Sequence, residues 1–298
     1  MMKFATLAAS SLSLVFGGVS AQAQADETAN DCPPYEMLGA GPDLVLVPGL
    51  GSDPSVWDGV KSRLSEEYRV HLVHVAGFGT RAASGNPDTI AERSAAEIAE
   101  YLDCRGIEST AYAGHSMGGF LGLKLAIEHP SRINNLIVVD ALPFYPLIFS
   151  PAATASAVQG QADALRAQIL SQDEDAFAAG QQMGVRSLVR DPAYHSAVAR
   201  WSIASDRATF AAAIHGLMTT DLRGELGVIT TPTTVIAAAN SFAPRDRVQT
   251  LYSGAYANLK NARLEIVEDS YHFIMFDQPE RLETQLLAAL ARADVGDD

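Results

Sequence analysis

Residues 114–118 read Gly114-His115-Ser116-Met117-Gly118, a serine between glycines that follows an apolar run at 110–113 and precedes another at 117–128. The first run has the character of a buried strand and the second of a helix. A sharp turn between them exposes the serine oxygen at the edge of a sheet, while the glycines let neighbouring backbone come close. The helix N-terminus beneath the turn favours developing negative charge. The chemistry of such a corner is nucleophilic attack by an alcohol, which requires a base to take the hydroxyl proton. Seven histidines are available. His71 and His74 fall in a predicted strand, His115 in the corner itself, and His129 at a helix end. His195 and His215 lie in a long central block, and His272 in a loop before the last helix.

The elements that must position these groups alternate along the chain. Residues 44–47 are a short apolar run ending at Pro48-Gly49, the pattern of a buried parallel strand. Asp53 offers an N-cap and Pro54 a first-turn residue for a helix to about residue 65, with Trp57, Val60 and Leu64 on one face. A strand is predicted at 70–75, closed by Gly77-Phe78-Gly79, and a helix from Asp88 to Cys104. Strand 110–113, helix 117–128 and strand 133–139 follow. From 142 to 226 the chain is Ala-rich and helical, with Met183, Trp201, Phe210 and Met218 as packing residues. Strands at 233–238 and 263–267 and helices at 245–256 and 279–291 then resume, with Pro244 and Pro279 at helix starts. The alternation predicts an α/β fold with a parallel sheet covered on both faces. Residues 26–141 and 227–298 form its core, and 142–226 an inserted helical cap.

This arrangement resembles the α/β-hydrolase family from about Leu44 to Ala291. The likeness rests on Pro48-Gly49-Leu50-Gly51 after the first strand, Gly77-Phe78-Gly79 after the second, Gly114 to Gly119 at the corner, and Tyr271-His272-Phe273 before the last helix. It implies a mostly parallel, eight-stranded sheet with the active site at the strand ends under a cap. It also implies a triad in the chain order serine, acid, histidine. In that order Ser116 is the nucleophile and His272 the base. The family's template draws oxyanion donors from the backbone N–H groups of Met117 and Leu50. Many relatives carry histidine where this chain has Pro48, but Leu50 keeps its N–H.

The acid departs from the commonest family pattern, because the segment after strand 233–238 reads Ala239-Asn240-Ser241-Phe242-Ala243-Pro244 and holds no carboxylate. A neutral Asn240 can orient an imidazole but cannot stabilise an imidazolium by charge. Asp140 ends the strand after the nucleophile helix, where a minority of the family places its acid. Asp140 is the leading candidate and Asp246 the next, with Asn240, Asp269 or no acid at all as the remaining alternatives. An aspartate at a strand end also has a plainer use, capping the next turn.

Serine rather than aspartate at the corner argues against dehalogenase and epoxide hydrolase chemistry. The expected activity is hydrolysis of carboxylic esters through an acyl-serine. A lactonase is the near alternative, and a catalytically silent binding protein of the same fold the distant one. The apolar run at 143–149 suits an uncharged, medium-sized substrate, or equally cap-to-core packing. No residue cluster implies a cofactor or a metal.

The 298 residues are 48% hydrophobic and 19% charged, which excludes a disordered chain and a small disulfide scaffold. A formal charge of -14 and the lack of a Lys/Arg cluster argue against nucleic acid as partner. Lys3, the apolar run at 4–19 and the small residues Ala21-Gln22-Ala23-Gln24-Ala25 form a secretory signal pattern, with cleavage expected after Ala23 or Ala25. Export to the periplasm or beyond, without a stable membrane anchor, is the expectation. Cys32 and Cys104 are then candidates for one disulfide, or for two unpaired thiols.

Overall fold

The computed structural model describes residues 32–294, so the signal pattern lies outside the described residues. A short strand, β1 (Glu36–Leu38), precedes β2 (Asp43–Val47), α1 (Asp58–Leu64), β3 (Arg69–Leu72), α2 (Ile90–Cys104) and β4 (Thr110–His115). Next come α3 (Met117–Glu128) and β5 (Ile133–Val139), then α4 (Ala155–Ser171), α5 (Glu174–Gly184), α6 (His195–Ala204) and α7 (Arg207–Thr219). The chain returns to the sheet with β6 (Thr233–Ala238), α8 (Arg245–Ala255), β7 (Ala262–Val267), α9 (Ile274–Asp277) and α10 (Pro279–Asp294).

The strands form one sheet in the order β1-β3-β2-β4-β5-β6-β7. Only β1 is antiparallel, pairing with β3. The sheet has seven strands among the described residues, where the family resemblance implied eight. Before β2 there is one three-residue edge strand, too short for any periodic pattern to announce it. Gly39 and Gly41, at φ +79° and +122°, then turn the chain directly into β2. A Cβ on either would come within 2.4 Å of backbone oxygen in the turn after α1, so only glycine fits that turn.

Alternation along the strands builds two cores. Val45 and Val47 join one apolar cluster with Phe120, Leu121 and Leu136. Leu44 and Leu46 join the other with Trp57, Leu64, Ile137 and Leu286. Each such fully buried side chain contributes roughly 1.5–3 kcal/mol by leaving water.

Several element boundaries differ from the sequence expectation: the helix expected from Asp53 opens with a 3-10 turn over Pro54–Trp57, and β4 runs on to His115. β3 ends at Leu72 rather than Val75, because the backbone turns where Arg81 reaches the His74 carbonyl and His74 Nε2 meets the Phe78 carbonyl at 3.0 Å. The helix expected from Asp88 begins instead with a 3-10 turn capped by Asn86, whose side chain accepts from the Asp88 N–H. Cys32 and Cys104 are joined by a disulfide that pins the chain before β1 to the end of α2.

Helices α4 to α7 stand between β5 and β6. The corner between α6 and α7 seats on the loops at the C-terminal ends of β2 and β3. The Asp206 N–H donates to the Gly77 carbonyl at 2.9 Å, and the Gly79 N–H to Ser205 Oγ at 3.0 Å. Phe210 presses on Gly51, where a Cβ would sit 2.7 Å from its ring. Of the apolar run at 143–149, Phe144 and Leu147 go into the core while Phe149 is exposed. That run therefore serves both packing and an open pocket, which Leu147, Ile148 and Phe149 line together with Leu251 and Ala255.

Candidate active site

The corner between β4 and α3 bends as the glycines require. Ser116 has φ 53° and ψ -120°, a left-handed backbone costing a non-glycine residue of order 1–3 kcal/mol. Its surroundings enforce the strain. The Ser116 N–H donates to the Val139 carbonyl at 2.9 Å, and the Ser116 carbonyl accepts from the Phe120 N–H at 3.1 Å. A Cβ at Gly114 would lie 2.2 Å from the Gly118 carbonyl oxygen, and one at Gly118 2.3 Å from that of Val47. Any side chain at either position would push the serine out of place.

The loop after β2 lies against this corner. A Cβ at Gly49 would be 3.0 Å from Ser116 Cβ, so Leu50 follows immediately beside the nucleophile. Met117 is the first residue of α3, and its N–H stands outside the helical ladder. These are the two residues named from sequence as backbone donors: Met117 follows Ser116 in the chain, and Leu50 follows Gly49, which lies against Ser116. Leu50 also packs under Ile169, Phe177 and Phe210 of the inserted helices. Behind Met117, a cavity between α2, α3 and α7 is lined by Ile90, Phe120, Ala213 and Leu217, with Arg166 and Asp88 paired at its rim.

Of the candidate acids, the imidazole of His272 meets Asp140, with Nδ1 2.7 Å from Oδ2. Asp140 follows β5 with φ 45°, and its N–H donates to the Ile236 carbonyl at 2.7 Å. Its second oxygen, Oδ1, accepts from the Ala238 N–H and from the Tyr252 hydroxyl, both at 2.9 Å. The carboxylate is thus held at three points. Burial, and then the Asp140 charge, push the Tyr252 hydroxyl well above its ordinary range, so it stays protonated and donates. Sequence reasoning missed Tyr252. Its spacing from Val248 and Ala255 marks a buried helix face, but nothing in that pattern reveals where a hydroxyl ends.

The other candidates do not meet the imidazole among the described residues. Asn240 Oδ1 accepts from the Phe242 and Ala243 N–H groups, and its Nδ2 donates to the Ser270 carbonyl at 3.1 Å. It therefore shapes the loop after β6 and braces the histidine loop. Asp246 is exposed in the first turn of α8. Asp269 is exposed with φ 60°, and its carbonyl accepts from Arg190 and Gln278.

The loop bearing His272 is clamped on both sides. The Tyr271 N–H donates to Asp277 at 2.7 Å, and the Phe273 N–H to the Leu188 carbonyl at 3.0 Å. The His272 ring lies 4.6 Å from the ring of His115, the residue before the nucleophile. Among the described residues no hydrogen bond joins the Ser116 hydroxyl to this ring. Catalytic hydrogen bonds of this type are often long without substrate and tighten once it binds. With Nδ1 on the carboxylate, Nε2 is the ring nitrogen left to take a proton. Among the described residues no group of three His, Cys, Asp or Glu side chains is placed to hold a metal ion, and no helix is long and apolar enough to cross a membrane.

Comparison with known proteins identifies the family of the chain. The profile of the alpha/beta hydrolase family matches residues 44–285. A pimeloyl-(acyl-carrier protein) methyl ester esterase of Aeromonas hydrophila is 38% identical over 110 residues, 37% of this chain, and the match spans 42% of that relative's length. The enzyme of the same description from Yersinia enterocolitica is 29% identical over 203 residues, covering 66% of this chain and 75% of its own. An enol-lactonase from Burkholderia xenovorans LB400 superposes with a TM-score of 0.71 at 20% identity, over 86% of this chain and 95% of that one, a likeness of fold.

Proposed function

The chain belongs to the alpha/beta hydrolase family, and from that premise we propose that it is a serine hydrolase of carboxylic esters. The reading rests chiefly on one observation: a largely enclosed, triply held Asp140 bonded to His272 at 2.7 Å, beside a strained serine. Ser116 Oγ attacks the ester carbonyl as His272 Nε2 takes its proton. The tetrahedral oxyanion is met by the N–H groups of Leu50 and Met117, and Asp140 stabilises the imidazolium. His272 returns the proton to the departing alkoxide, leaving an acyl-serine. Water, activated by the same imidazole, then releases the acid and restores the serine.

Apolar groups around Leu50 favour a partly apolar substrate of medium size, while the cavity beside Met117 mixes Ile90, Phe120 and Leu217 with Glu92, Arg166 and His215. A fluorophosphonate tests the reaction class. Covalent labelling of Ser116, lost in Ser116→Ala, is expected, and a folded wild-type protein that takes no label would leave only a binding role. Linear p-nitrophenyl esters assayed beside acyl lactones then place the substrate, with linear esters expected to turn over faster.

We also propose that the protein is exported after removal of residues 1–23 or 1–25. The leader pattern supports this, as does a disulfide of the kind that persists in oxidising compartments. Mass analysis of the mature chain from its native host should find an N-terminus at Gln24 or Asp26. An intact Met1 would overturn the proposal.

A further inference from the structure

His115 is the most buried histidine beside the site, and the reaction as written leaves it idle. Its side chain is fully enclosed, at 0% exposure. Nε2 lies 3.0 Å from the backbone carbonyl of His272, a residue 157 positions away. A carbonyl only accepts, so Nε2 carries the proton. Nδ1 is buried and makes no hydrogen bond among the described residues. It faces the loop after β2, where a Cβ on Gly49 would lie 3.1 Å from it. The ring also packs on those of His272 and Phe273, at 4.6 and 4.7 Å. His115 therefore touches, at one point, the three segments that must stay in register: the nucleophile corner, the base loop and the oxyanion loop.

We propose that His115, held as the neutral Nε2–H tautomer, is a positioning residue that fixes the backbone of His272 relative to Ser116. Three observations carry this. The Nε2 bond ties the backbone of the base directly to the residue preceding the nucleophile. A proton on Nδ1 would be a buried donor with no acceptor, so the ring stays uncharged. An uncharged ring is also what the neighbouring base requires, because His272 becomes cationic during turnover only 4.6 Å away. In agreement, burial, and then the nearness of His272, push the His115 imidazole well below its ordinary value. A cation here would oppose the imidazolium that Asp140 is arranged to stabilise.

The inference rests on the serine hydrolase reading, and its test separates the two. His115→Phe keeps an aromatic ring and removes the donor, while His115→Gln restores an N–H of similar reach. With Ser116 still labelled by the phosphonate in wild type, His115→Phe is expected to lower kcat roughly 10- to 100-fold with KM nearly unchanged, the scale of a displaced catalytic group. The low-field proton signal of the His272–Asp140 bond should shift or broaden. His115→Gln should recover much of both. Wild-type kcat and an unmoved proton signal in His115→Phe would overturn the proposal while leaving the hydrolase reading intact. Nitrogen-15 NMR of the histidines in wild type needs no variant to fold. Protonation at Nε2 alone of His115 is expected at neutral pH, and an Nδ1–H tautomer or an imidazolium would overturn the assignment. Absence of labelling in wild type would instead strike the hydrolase reading.

Discussion

Two hydrogen-bonded histidine–aspartate pairs at opposite ends of the sheet differ in what they leave free. At the C-terminal strand ends, His272 binds Asp140 at 2.7 Å, with the ring partly open to solvent. Asp43 opens β2 at the other end of the strand, and His71 of β3 binds it at 2.9 Å in a nearly closed site. The His71 ring uses both nitrogens, because Nδ1 takes the Tyr101 hydroxyl at 2.7 Å. His272 commits one nitrogen to the carboxylate and keeps the other for a proton. An imidazole beside a carboxylate is therefore not a base until its second nitrogen is unoccupied and a nucleophile stands near it. His71, with both positions filled, works as a buried cross-link between β2, β3 and α2.

Substitutions at the two pairs should separate along that line. His272→Gln is expected to reduce kcat by about 10⁴-fold or more with little change in melting temperature. His71→Gln should leave kcat within about threefold and lower stability by roughly 1–3 kcal/mol, since Tyr101 and Asp43 lose a buried partner. Steady-state kinetics and urea titrations of both variants measure the contrast. An unchanged kcat in His272→Gln would erase it.

Tyr252→Phe perturbs the catalytic pair from the acid's side. It removes one of three bonds holding Asp140 and preserves the ring, so kcat should fall about tenfold, the scale of a hydrogen bond to a charged group. Equal kcat for wild type and Tyr252→Phe would mean that the Ala238 N–H and His272 suffice to hold the carboxylate.

Acid should act mainly through the buried histidines. Burial pushes the His71 imidazole below its ordinary value, despite the opposing pull of Asp43. The unfolded chain then binds the proton first, so stability is lost as pH falls below about 6.5 and regained as it rises. Urea midpoints between about pH 5 and 7 should show that positive slope, with a shallower slope in His71→Gln. The smallest effect on activity is expected from reduction of the Cys32–Cys104 disulfide. It closes a long loop remote from Ser116, and its loss should cost roughly 4 kcal/mol of stability in the chain-entropy picture. Melting with and without reductant measures it, and kcat at 25 °C should stay the same.

Most of the frame was legible in the sequence because its signals are local. The apolar runs, the glycines at 114 and 118 and the proline helix starts lie within a few residues of what they determine. The serine corner was legible for the same reason. Three features were hidden because they depend on contacts made across long stretches of chain. β1 pairs only because β3 offers an edge. Tyr252 finds Asp140 across 112 positions, and His115 finds the His272 backbone across 157. The absence of a carboxylate after β6 could be read directly, but that Asn240 would become a loop brace could not.

The carboxylate ending β5, rather than any other acid, is proposed to serve the base. The kcat of Asp140→Asn on a p-nitrophenyl ester, measured beside Asp43→Asn and Asp246→Asn, decides this. A loss of about 10³- to 10⁴-fold in Asp140→Asn, with the other two near wild type, is the expected result. Near-normal turnover in a folded Asp140→Asn protein, or a comparable loss in Asp246→Asn, would contradict it.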